Sequence, residues 1–110
     1  MQSVSNSASN VSAGGLEKYP KRRSDVRVRV IDGETVVLDR KRAKVHQLNR
    51  TASYIWSRCD GKAAIEEIAH QLAESFDVDP KTAARNVMAA VWQLRKLNLL
   101  EPSGDFPVLP

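Results

Sequence analysis

KVHQLNRTASYIWSRCDG, residues 44–61, is the stretch in which the apolar period of the chain changes. Up to Leu48 the pattern alternates, with Val45 between Lys44 and His46, as in a half-buried strand. From Ala52 the apolar residues fall at Ala52, Ile55, Trp56 and Cys59, which is helical spacing. A strand therefore runs straight into a helix. Asn49 stands at the junction, where its side-chain oxygen can accept from a first-turn N–H that has no intrahelical partner, so it is the expected N-cap. The helix is expected to close on Asp60-Gly61, because Gly enters the left-handed conformation without a Cβ penalty.

Upstream of this pivot the period is two. Val26, Val28 and Val30 alternate with Arg27, Arg29 and Ile31, Asp32-Gly33 is a hairpin signal, and a second strand spans Glu34 to Asp39 with Val36, Val37 and Leu38 as its apolar content. The charged run Arg40-Lys41-Arg42 connects it to the third strand, Lys44 to Leu48. Downstream the period is helical. Ile65, Ile68, Ala69, Leu72 and Phe76 predict a helix from about Ala64 to Ser75, with Ala64 a poor cap. Asp79-Pro80 is a strong start for a last helix reaching about Leu97, with Asn98 in the left-handed capping role and Leu99-Leu100 folding back onto the core.

The expected architecture is α+β, a small winged-helix-like domain with a three-stranded antiparallel sheet followed by three helices. Its predicted core is Val28, Val36, Leu48, Ile55, Trp56, Ile68, Leu72, Val87, Val91 and Leu94. The expected organisation is a disordered basic N-terminal tail over 1–24, the domain over 25–100, and a C-terminal tail over 101–110. The tail reading rests on MQSVSNSASNVSAGG, Ser/Asn/Gly-rich and without period, followed by the solvated basic run Lys18 to Arg23.

The 110-residue chain holds one domain's worth of core and little room for an enclosed active site. Cys59 is the only cysteine, which excludes a disulfide framework and points to a reducing compartment, here the cytoplasm. No apolar run approaches the roughly 20 residues of a membrane span. Residues 1–50 hold eleven Lys/Arg against five Asp/Glu, and residues 51–110 six against eight, so the two halves differ in sign. Such asymmetry points to a polyanion or acidic ligand without choosing between them.

Catalysis has little to stand on. His46 and His70 fall on separate elements with no second metal ligand at a suitable spacing, and Cys59 sits on an apolar face with no base beside it. No Gly-rich phosphate loop is present, and the adjacent Glu66 and Glu67 are surface carboxylates. The reading is no enzyme, no catalytic residue, no cofactor and no metal.

Two binding readings remain. A winged-helix DNA-binding regulator would present Lys81, Thr82, Arg85 and Asn86 at the start of the last helix. The denser basic residues lie on the strands instead, so this reading ranks second. The other starts from Met88 and Trp92, four apart and beside Arg95 on a face that the Val87, Val91 and Leu94 stripe does not account for. A last helix buried over a wider arc would produce the same pattern. An apolar groove is the alternative, because adaptable, high-area side chains favour peptide surfaces. If the third strand is a sheet edge, its free N–H and C=O groups form the facing wall, and an extended peptide adds there as a fourth strand.

In order and spacing, Leu48-Asn49, Ala52, Ile55-Trp56, Asp60-Gly61, Ile65 to Leu72, Val87, Val91, Leu94 and Leu99-Leu100 resemble the PqqD-like peptide chaperones, also called RiPP recognition elements. The resemblance covers roughly Val26 to Leu100. It implies a compact winged-helix-like domain that binds the leader segment of a ribosomally made precursor peptide and presents it to a modifying enzyme, a radical SAM enzyme or a leader peptidase. It also implies leader addition on the third strand, in the cleft against the third helix. Asn86, Trp92, Ala90 and Asn98 depart from the usual family pattern. The expected leader-peptide-binding residues are Val45, His46, Gln47 and Leu48 with Met88, Val91, Trp92 and Arg95, with no membrane and no nucleic acid as partner.

Overall fold

The computed structural model describes residues 18–102. The readings made for 1–17 and 103–110 lie outside them. Strands β1 (Arg27–Ile31), β2 (Glu34–Asp39) and β3 (Lys44–Leu48) form an antiparallel sheet in the order β1-β2-β3. Helices α1 (Arg50–Ser57), α2 (Ile65–Phe76) and α3 (Pro80–Lys96) follow. This is the α+β order that the change of period predicts. Asp32 and Gly33 both have positive φ, 54° and 81°, the conformation a tight hairpin turn requires and Gly supplies without strain.

The pivot folds as its residues dictate. Asn49 is the N-cap of α1, its Oδ1 accepting from the Ala52 N–H at 2.8 Å. Ser53, one turn in, donates to the Leu48 carbonyl at 3.0 Å and accepts from the Thr35 N–H at 2.8 Å, fixing the helix to both neighbouring strands. Ile55 and Trp56 are buried, and the Trp56 indole donates to the Leu99 carbonyl at 3.1 Å. Ala64 caps α2 without a side-chain bond, and Asn98, at φ 61°, takes the left-handed position after α3.

Three expectations change. Of the predicted core, Val28 is exposed and Val36 only half-buried, whereas Val37 is fully buried. Val28 pairs with Val37 and so shares its face of the sheet, but β1 is an edge strand beyond the reach of the helices, and central β2 takes the burial. Helix α1 ends at Ser57 rather than at Asp60-Gly61. Gly61, at φ 83°, shapes a later turn in which its N–H donates to the Pro20 carbonyl and an added Cβ would lie 3.1 Å from the Lys21 side chain.

That contact belongs to the third change. The ordered chain does not begin at Asp25. Residues 20–23 lie along the domain, with Lys21 bridged to Asp60 and Arg22 to Leu100, and the Arg22 N–H donating to the Cys59 carbonyl at 2.8 Å. Arg23 is buried and bonds Asp39 at 2.7 Å, Asp25 at 2.9 Å and the Asn98 carbonyl at 2.9 Å. A run of cations reads as solvated by composition, yet a guanidinium whose carboxylate partners lie in the fold can be buried.

Candidate functional site

The β2–β3 pairing leaves one side of β3 without a strand partner, so β3 is a sheet edge. At its C-terminal end Leu48 is buried, and beyond it a cleft of about 420 Å³ opens between the pivot and α3. Leu48, Asn49, Thr51 and Ala52 form one wall, and Asn86, Ala89, Ala90, Gln93 and Leu94 the other. Asn86, Ala90 and Gln93 recur at helical spacing, so one flank of α3 faces the strand edge. Its side chains are short or amide-bearing: the alanines leave room, and the amides offer donors and acceptors at the rim.

The expected site residues divide across this geometry. Leu48 lines the cleft. Lys44, His46 and Leu48 share the helix-facing side of the sheet with Asp39, Val37 and Thr35, while Val45 and Gln47 point to the opposite side with Leu38 and Val36. The His46 imidazole Nε2 is buried without a hydrogen-bond partner among the described residues. Gln47 donates to Glu34 Oε1 at 3.0 Å. Val91 is buried in the core and offers no surface.

Met88, Trp92 and Arg95 are not brought to the cleft. Met88 and Trp92 are exposed on the flank of α3 across the buried stripe from Asn86 and Ala90, and the Lys96 ammonium sits 4.4 Å from the Trp92 ring centroid. The Arg95 guanidinium donates to the Glu101 carbonyl at 2.7 Å, in a depression of mixed charge that also includes Arg23, Asp25, Lys41 and Arg42. Sequence reasoning missed Ala89 and Gln93, and noted Asn86 and Ala90 only as departures from the family pattern, with Asn86 also weighed as a DNA contact. The available signal was the Asn86, Ala90, Gln93 spacing, which carries no apolar moment and so resembles any exposed flank.

Electrostatics concentrate away from the cleft. The Arg23 guanidinium holds the Asp39 carboxyl below the usual carboxylate range against the opposing effect of burial, and does the same to Asp25. Asp60 is lowered by the N–H groups of Ala63 and Lys62 that its side chain accepts. No group of three or more His, Cys, Asp or Glu side chains able to hold a metal occurs among the described residues. No helix among them is long and apolar enough to cross a membrane.

Residues 34–100 match the family model of coenzyme PQQ synthesis protein D, PqqD. The chain belongs to the PqqD family. Among solved structures, TbiB1 in complex with the TbiA(beta) leader peptide is 27% identical with a TM-score of 0.67, over 76% of this chain and 98% of that one. Lasso peptide synthetase B1 complexed with the leader peptide is 26% identical with a TM-score of 0.66, over 76% and 99%. The PqqD truncation of Methylobacterium extorquens PqqCD, a stand-alone RiPP recognition element, is 24% identical with a TM-score of 0.57 and shares the fold. No curated protein matches the chain. In this PqqD-family domain the edge of β3 and the cleft beside α3 are the two walls of one candidate site.

Proposed function

We propose that this domain binds the leader segment of a ribosomally synthesised precursor peptide by strand addition to β3 and presents it to a modifying enzyme, a radical SAM protein or a leader peptidase. The observation that carries the reading is the juxtaposition of an unpaired strand edge with an alanine-floored cleft against α3. Backbone pairing supplies register, and the cleft selects the side chains that alternate toward the helices. The two relatives above 25% identity are structures with leader peptides, which supports the same reading. The role is one of binding, not catalysis. The cytoplasm is the proposed address, supported by a lone buried cysteine in place of a disulfide framework.

The site proposed here keeps Val45, His46, Gln47 and Leu48 and takes Asn86, Ala89, Ala90 and Gln93 as the helix wall. The experiment is a titration of the cognate precursor peptide into isotopically labelled protein. Amide shifts are expected on Lys44 to Leu48 and on Asn86 to Leu94. Shifts confined to the Met88 and Trp92 flank, or no binding, would remove the cleft as the site.

A further inference from the structure

The side of the sheet away from the helices is built differently from a solvated sheet face. Ile31, Val36, Leu38 and Val45 share it by register, and Arg27 and Arg29 stand among them on β1. Ile31 is 54% exposed and Val45 67% exposed, and a depression of about 500 Å³ runs between β1 and β2. On β2 the helix-facing Thr35, Val37 and Asp39 are buried while Val36 and Leu38 stay half-open, so no described element covers this face. Its carboxylate, Glu34, accepts from the Gln47 amide at 3.0 Å and keeps its charge, but the guanidinium groups of Arg27 and Arg29 outnumber it, so the face is net positive.

Resting on the leader reading above, we propose that this outer face docks the enzyme that receives the leader, through an apolar patch ringed by carboxylates. Charge decides the occupant. In a symmetric pair of this chain, Arg27 and Arg29 of each copy would be brought against the same patch on the other, whereas an acidic rim neutralises them and an apolar centre covers Ile31 and Val45. The face is also continuous with the leader site. A strand added to β3 places every second leader side chain on this outer face, beside Val45 and Gln47. An enzyme seated there touches domain and leader together, so each raises the other's affinity by the same factor.

The test uses the full chain, its precursor leader peptide and the purified modifying enzyme, a radical SAM protein or leader peptidase. Enzyme affinity is measured with and without leader, and leader affinity is measured separately without enzyme. Leader should tighten enzyme binding about tenfold, and Ile31→Ser and the double variant Arg27→Gln/Arg29→Gln should each weaken it about tenfold. Leader affinity of Ile31→Ser should stay within about twofold of wild type. Enzyme binding that is absent in wild type, or unchanged in both variants, overturns the proposal and leaves the leader reading standing. Absence of leader binding sinks that reading instead, while the enzyme titration without leader still reports on the outer face. Four other occupants would also overturn the proposal: phosphatidylserine-containing vesicles or duplex DNA released by Ile31→Ser, a dimer in sedimentation that Ile31→Ser dissociates, or amide shifts in residues 1–17 caused by Ile31→Ser.

Discussion

The domain has a closed side and an open side. On the closed side Pro20 to Arg23 lie against Asp60, Leu100 and Glu101, Arg23 joins Asp39 of β2 to the end of α3, and the Trp56 indole meets the Leu99 carbonyl. Polar groups there are paired within the chain. On the open side Leu48 and α3 face each other across a cleft lined by Ala52, Ala89 and Ala90, and the strand edge lacks a partner. Fastening the end of α3 to the sheet holds its middle turns at a fixed separation from β3. A preformed gap spares a ligand the cost of opening it.

The largest expected effect lies on the closed side. Trp56→Ala removes a 4%-exposed indole and its bond to Leu99, and should cost roughly 3–5 kcal/mol in chemical denaturation. A melting temperature near that of wild type would mean that the two sides are not distinguished by packing.

Acid should open the closed side first. Asp39 and Asp25 have folded pKa values held below the unfolded carboxylate value by Arg23. Their stabilisation is present above that unfolded value, about 3.9, and is lost as pH falls from there toward the folded values. Thermal unfolding followed from pH 6 to pH 2 should show a fall in melting temperature concentrated below about pH 4. Arg23→Met should flatten that fall and lower the melting temperature at pH 6, since it strands the buried Asp39 carboxylate. An unchanged acid limb would detach the ion pair from the stability of the closed side.

On the open side, Ala89→Trp fills the cleft from an exposed position and should weaken leader binding by roughly 1–3 kcal/mol while leaving the melting temperature within a few degrees of wild type. Calorimetric titration of the leader reads the first effect and thermal melting the second. Trp92→Ala should do least, changing leader affinity and stability by no more than about 0.5 kcal/mol, because Trp92 is 59% exposed and away from the cleft. A tenfold loss on Trp92→Ala with no loss on Ala89→Trp would place the site on the Met88/Trp92 flank, as the apolar pattern alone had it.

Legibility followed the physical range of each signal. Asn49 capping α1, Asp32-Gly33 turning the hairpin and Asn98 ending α3 are local events, set by a few adjacent residues and readable from them. The Val87, Val91 and Leu94 stripe was readable because a 3.6-residue period determines which residues share a face. The same period does not say which neighbouring flank meets a strand and which meets water. Met88 and Trp92 carried the apolar signal, yet the alanine and amide flank faces β3, because the direction in which α3 crosses the sheet is set by contacts among all the elements. Val28 and Val36 show the same division: the apolar pattern offered both as core, and only the pairing of the strands put Val36 on the opposite face, gave the burial to Val37 and left Val28 exposed on an edge strand. Arg23 lay furthest beyond the sequence, since its partners at Asp39 and Asn98 are distant along the chain and only the closed fold brings them within hydrogen-bond reach. The sequence by itself determined the elements, their caps and the buried stripes, which depend on short-range geometry. Tertiary structure decided strand burial, the flank of α3 that lines the cleft and the burial of Arg23, which depend on where the chain places residues far apart in order.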